Sequence, residues 1–113
     1  MTDHITIRLS DGTWTVRAGG AILAETTRGL ELREGSYPPV VYIPREDVAM
    51  ALFERSPTRT TCPHKGEASY YSFVGKSARI ADAAWSYETP KDGVAPIAGH
   101  LAFYSNRVTL ERA

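Results

Sequence analysis

The stretch Thr60-Thr61-Cys62-Pro63-His64-Lys65-Gly66 sets a thiol, an imidazole and an ammonium side by side in the chain. Cys62 is the only cysteine among the 113 residues. A thiolate is a strong nucleophile, and a cation such as Lys65 nearby favours it over the thiol. Cys62 and Lys65 are therefore the candidate catalytic pair, in an enzyme of transferase or hydrolase type. Nucleophilic catalysis also needs a base and an orienting group held by the fold. His64 is a neighbour in sequence, which does not put its ring on the sulfur. The alternative role of Cys62 is that of a small buried hydrophobe.

Metal binding finds little support in the spacing. Closed zinc sites use four Cys or His ligands, commonly as paired Cys-x-x-Cys units. Here one cysteine stands with His4, His64 and His100, at no recognisable ligand spacing. No metal and no cofactor is expected.

A second cluster is Ala83-Ala84-Trp85-Ser86-Tyr87-Glu88, with Phe103 and Tyr104 downstream. Trp85 and Tyr87 are two apart, so on a strand they share a face. Such residues often fill a core. Trp and Tyr also carry a polar tip that wants a partner when buried. An apolar wall with a few convergent polar groups is the usual form of a small-ligand site. Glu25, Arg33 and Lys65 are the candidate polar groups. The chain has no Gly-x-x-x-x-Gly-Lys-Ser/Thr loop, no Gly-x-Gly-x-x-Gly and no Gly-x-Ser-x-Gly elbow.

The elements that must position these groups read mostly as strands. Ile5, Ile7 and Leu9 alternate with polar residues in the run from Thr2, and Asp11-Gly12 supplies a turn. Trp14 and Val16 follow, then Gly19-Gly20, then Ile22 to Ala24 and Leu30 to Leu32. Short runs separated by such dipeptides predict consecutive antiparallel hairpins. Val40 to Ile43 is a β-branched, aromatic strand. Between Arg45 and Arg55 the period changes: Val48, Ala51, Leu52 and Arg55 have helical spacing. Pro44 suits a helix start and Ser56-Pro57 a stop. This predicts a helix about three turns long. Strands resume at Ala68 to Val74, Ser77 to Trp85, Leu101 to Tyr104 and Val108 to Leu110. The whole reads as one mainly β, antiparallel domain over residues 1–113 with one short α-helix near residues 45–55.

Composition narrows the function classes. Thirteen Lys and Arg balance thirteen Asp and Glu. Balanced charge argues against nucleic-acid partners and against attachment to an anionic membrane. One cysteine suits a reducing compartment. The N-terminal run lacks the apolar length of a signal peptide or membrane span. A cytoplasmic protein is expected.

Four motifs occur in order: Tyr42-Ile43-Pro44-Arg45-Glu46-Asp47-Val48, the segment Thr60 to Gly66, the segment Ala83 to Glu88, and Ile97-Ala98-Gly99-His100-Leu101-Ala102-Phe103-Tyr104. Together they resemble the bacterial and fungal domain-of-unknown-function family 427, from about Glu25 to the end. Cys62, Pro63, Lys65 and Gly66 match its pattern, whereas His64 often has another residue in its place. The resemblance implies a β-tent-like architecture, two antiparallel sheets leaning together and open at one end. Some β-tent relatives hold a structural zinc between two Cys pairs, which this chain lacks. Others bind small molecules in an aromatic cage, which fits Trp85, Tyr87 and Tyr104. The family has carried a nucleotidyltransferase label, but no paired carboxylates here support that activity. The expected function is binding of an anionic or polar-headed small molecule, with Lys65 and Cys62 at the pocket rim. The alternatives are the Cys62 enzyme and a module that docks a protein segment on a strand edge.

Overall fold

Alternating apolar and polar residues become antiparallel strands in the computed structural model, which describes residues 4–113. Thr2 and Asp3, the start of the alternating N-terminal run, lie outside the described residues. The strands are β1 (Ile5–Leu9), β2 (Trp14–Ala18), β3 (Ala21–Thr26), β4 (Leu30–Glu34), β5 (Val40–Tyr42), β6 (Phe53–Cys62), β7 (Gly66–Val74), β8 (Arg79–Ser86), β9 (Ala102–Phe103) and β10 (Thr109–Arg112). They form three sheets, ordered β1-β4-β5, β10-β2-β3 and β6-β7-β8-β9. The mainly β, antiparallel class is as the sequence predicts, with three sheets in place of two.

The Gly19-Gly20 turn makes a hairpin, joining β2 to β3. Both glycines have positive φ, 55° and 77°, which a hairpin turn of this kind demands. Asp11-Gly12 does not make one. Here β1 pairs with β4, and β2 pairs with β10 and β3. The Ser10 amide donates to the Gly29 carbonyl at 2.8 Å, and the Thr13 amide to the Ala113 carbonyl at 3.0 Å. Those bonds hold the two sides of the Asp11-Gly12 turn to different sheets. Gly12 has φ 84°, and a Cβ there would lie 2.5 Å from the Ala113 carbonyl oxygen. The turn is a crossover between sheets.

The segment expected as an α-helix is a correction. Arg45–Asp47 and Met50–Leu52 each form one 3-10 turn, and Phe53 already opens β6. Val48 between them is extended, at φ −107° and ψ 138°. It makes an isolated bridge with Ala24, and the Ala49 amide donates to the Leu23 carbonyl at 2.8 Å. Bonding to β3 thus overrides the local helical spacing, as tertiary context commonly does. Arg55 stands on β6 opposite Tyr71. Ser56-Pro57 breaks the β6–β7 register between Arg55 and Arg59 rather than ending a helix. The proline is accommodated because β6 is an edge strand. No helix among the described residues is long and apolar enough to cross a membrane.

The core has two parts. One gathers Val16, Leu23, Ile43, Phe73 and Leu101; the other gathers Leu32, Tyr42, Ala68, Ile97 and Ala102. Ile43 and Leu101 exchange both backbone bonds at 2.8 Å, linking the end of β5 to the start of β9. Both side chains are fully buried. Leu101→Ala is expected to destabilise the fold by about 2–5 kcal/mol, through lost burial and the cavity left behind. Leu9→Ala, at a side chain 61% exposed, is expected to cost less than about 0.5 kcal/mol. Urea denaturation of the two variants checks the contrast; equal losses would refute this placement of the core.

Candidate functional site

Strand alternation decides which polar groups face inward. On β4, Leu32 is buried and Glu34 half-buried, while Arg33 points outward and bonds Glu31 at 3.1 Å. Glu25 is exposed on β3, opposite Thr15. Neither Glu25 nor Arg33 reaches the cavity described next. Glu34, one residue from Arg33 and on the other face, does.

That cavity measures about 390 Å³ and lies between β4–β5 and β7–β8. Tyr42, Tyr70, Trp85, Tyr87 and Tyr104 wall it, with Glu34 and Lys65 as its charged groups. Tyr70 on β7 faces Trp85 on β8 by register. The Trp85 indole donates to the Tyr42 hydroxyl at 3.3 Å, and the two rings stand edge to face. Tyr104 packs on Trp85 with ring centres 4.6 Å apart. Lys65, Trp85, Tyr87 and Tyr104 are thus brought together in one wall. Burial pushes the Tyr42 phenol up to about 12, against the effect of the Trp85 hydrogen bond. Burial and the bond with Tyr70 push Tyr104 up to about 12 as well. Tyr87 is raised too, chiefly by burial. These hydroxyls keep their protons at neutral pH.

Lys65 sits in the turn from β6 to β7, where its amide donates to the Cys62 carbonyl at 3.3 Å. Gly66 follows with φ 111°, a conformation that favours glycine. The turn aims the Lys65 ammonium inward. Its Nζ donates to Glu34 Oε1 at 2.7 Å and lies 3.6 Å from Cys62 Sγ. That bond from Lys65 holds the Glu34 carboxyl below its ordinary range against the opposing effect of desolvation, with help from His4 and His64. Cys62 is half-buried against the aromatic part of the core. His64 packs edge-on against His4, ring centres 5.4 Å apart. His4 Nε2 lies 3.5 Å from Glu34 Oε2. Where no metal set was expected, His4, Glu34 and His64 bring ligand atoms within 4.8 Å of one another. They come from three separate segments, so no spacing rule reveals them.

The remaining motif residues build a brace. Arg45 donates to Glu88 at 2.9 Å and to the Gly99 carbonyl at 3.1 Å, and its guanidinium lies over the Tyr71 ring. Arg55 reaches the other Glu88 oxygen at 3.2 Å, and the Tyr71 hydroxyl donates to Glu88. Partial burial pushes the Glu88 carboxyl up. The Tyr71 hydroxyl and the two guanidiniums outweigh it and hold the group below its ordinary range.

Fold and site together define a mainly antiparallel β domain with an aromatic, ion-paired cavity between two sheets. A family model described as Domain of unknown function (DUF427) matches residues 6–113, and the chain belongs to that family. No curated protein matches it.

The Glu88 brace has a pH signature. A carboxyl whose folded pKa is below its unfolded value, 4.5, stabilises the fold fully above that pH and loses the effect as pH falls through the folded pKa. Glu88→Gln is expected to lower stability at pH 7 by about 1–3 kcal/mol. The gap from wild type should narrow below pH 4.5. Denaturant melts between neutral and acid pH measure it, and a gap that widens on acidification would contradict the brace.

Proposed function

We propose that this chain binds a small planar molecule with a polar head in the cavity between β4–β5 and β7–β8. The observation that carries the reading is the aromatic cavity of about 390 Å³ with the Lys65–Glu34 pair at its edge. Its volume falls in the ordinary range for small-ligand sites. Tyr and Trp walls suit a flat ring system. Because Lys65 is already paired with Glu34, the edge offers a donor and an acceptor side by side. A head group that both accepts and donates matches it better than a simple anion. Tyr37, 73% exposed on the loop between β4 and β5, also lines the cavity. Its ring is an apolar surface that a bound molecule would cover.

Native mass spectrometry of gently purified protein, followed by thermal-shift screening of metabolites, tests this reading. A bound molecule should raise the melting temperature, and Tyr87→Phe should weaken it about five- to tenfold by removing one hydroxyl bond. Trp85→Leu should weaken it further. Binding indifferent to both substitutions would remove the cavity from consideration.

The nucleophile reading rests on one distance, the 3.6 Å from Cys62 Sγ to Lys65 Nζ. Against it, the ammonium is engaged by Glu34, and the thiol packs against the core. Cys62 packs against the core beside the cavity and is not among the residues lining it. Cys62→Ser should keep ligand affinity within about threefold, the loss of a weak contact. The folded thiol should alkylate more slowly at neutral pH than the same thiol in urea. Rapid alkylation of the folded protein would restore the nucleophile to first place.

A further inference from the structure

Two histidines and a carboxylate converge beside the cavity, from just ahead of β1, from the end of β4 and from the turn between β6 and β7. From this convergence we infer that His4, Glu34 and His64 form a binding site for a zinc-class divalent cation.

The backbone already supplies the placement. The β1–β4 register sets Ile5 opposite Glu34, and the Gly35 amide donates to the His4 carbonyl at 3.2 Å. His4 is thereby fixed beside Glu34, at the end of an antiparallel ladder. His64 arrives from the other sheet, its ring at 89° to that of His4. A tetrahedral ion with bonds of about 2.0–2.1 Å separates its ligand atoms by about 3.3–3.4 Å. The His4 to Glu34 separation is 3.5 Å, and no pair among the three exceeds 4.8 Å. Closing the set to that spacing requires side-chain torsions that draw the ligand atoms together. His4 has a side chain 38% exposed and His64 is half-buried.

Glu34 is oriented for the task. Its Oε1 accepts from Lys65 at 2.7 Å, which leaves Oε2, the oxygen facing His4, for the ion. Hydrogen bonds of this kind fix ligating carboxylates elsewhere. The carboxylate also lies between the ammonium and the ion, so it screens their repulsion. Two imidazoles and one carboxylate suit zinc, cobalt or nickel; magnesium and calcium prefer all-oxygen sets. Three protein ligands leave a fourth position open. Glu34 also lines the cavity. An ion here sits at the cavity edge.

The test uses the whole chain without a histidine tag, stripped by chelator and titrated with zinc and then cobalt. One equivalent should bind, and cobalt should show the intense visible absorption of a four-coordinate ion. His4→Ala and His64→Ala should each weaken binding by about tenfold or more. His100→Ala should leave it unchanged, and excess magnesium should not compete. Circular dichroism confirms that these variants, altered outside the core, remain folded. Failure to saturate at one equivalent would overturn the site. So would affinity unchanged by either His4→Ala or His64→Ala, or a sulfur-to-cobalt band abolished by Cys62→Ser. The readouts are metal content and spectra, so they stand or fall separately from small-molecule binding in the cavity.

Discussion

The paired backbone bonds between Ile43 and Leu101 are the constraint on which the architecture depends. β5 ends at Tyr42 and β9 begins at Ala102, so these two residues are where one sheet stops and another starts. Their reciprocal 2.8 Å bonds carry hydrogen bonding from β1-β4-β5 across to β9-β8-β7-β6. With both side chains fully buried, water cannot compete for those groups, and leaving one unpaired would carry its full desolvation cost. A two-residue junction thus joins the two sheets. The aromatic cavity lies between the β4–β5 and β7–β8 strands of the joined sheets.

The second tie between these sheets is electrostatic. Lys65 belongs to the β6–β7 turn and Glu34 to the end of β4, with side chains 11% and 17% exposed. An ammonium this far from water needs a partner, since an unpaired charge there would cost several kcal/mol. The pair therefore constrains the width of the cavity as well as its polarity. It also settles which of the motif's charges is available. Lys65 reaches the cavity edge already paired with Glu34.

Much of the fold was legible because period-two patterning survives burial on one face. β1 keeps the alternation, whereas β7 is buried at every position from Ala68 to Phe73 and is legible instead from its aromatic residues. Two features were hidden for one reason, namely that partners distant in sequence decide local form. Val48 has helical neighbours but bridges Ala24 on β3. Asp11-Gly12 has turn chemistry, but the residues flanking it bond to Gly29 and Ala113. For the site, Trp85, Tyr87, Tyr104 and Lys65 could be named from type and motif. Arg33 and Glu34 differ in face: with Leu32 buried on β4, alternation puts Glu34 on the same side and Arg33 outward. The convergence of His4 with His64 had no sequence signal, because the β1–β4 register places His4 and the turn between β6 and β7, in another sheet, places His64.

The segment Trp85-Ser86-Tyr87-Glu88 shows how one short run serves both halves of the structure. Trp85 and Tyr87 face the cavity, where one donates to Tyr42 and the other closes the wall. Ser86 and Glu88 face the opposite way, into the brace with Arg45. Ser86 is completely buried and accepts from the guanidinium at 3.4 Å, so a larger residue there has no room. β8 ends at Ser86, and within it a slip of one residue would exchange the faces of Trp85 and Ser86, sending the indole into the brace. The ion pairs to Glu88 therefore do more than stabilise a surface. By fixing Ser86 and Glu88 on one side, they hold Trp85 and Tyr87 on the other. The polar brace and the aromatic cavity are consequences of a single register.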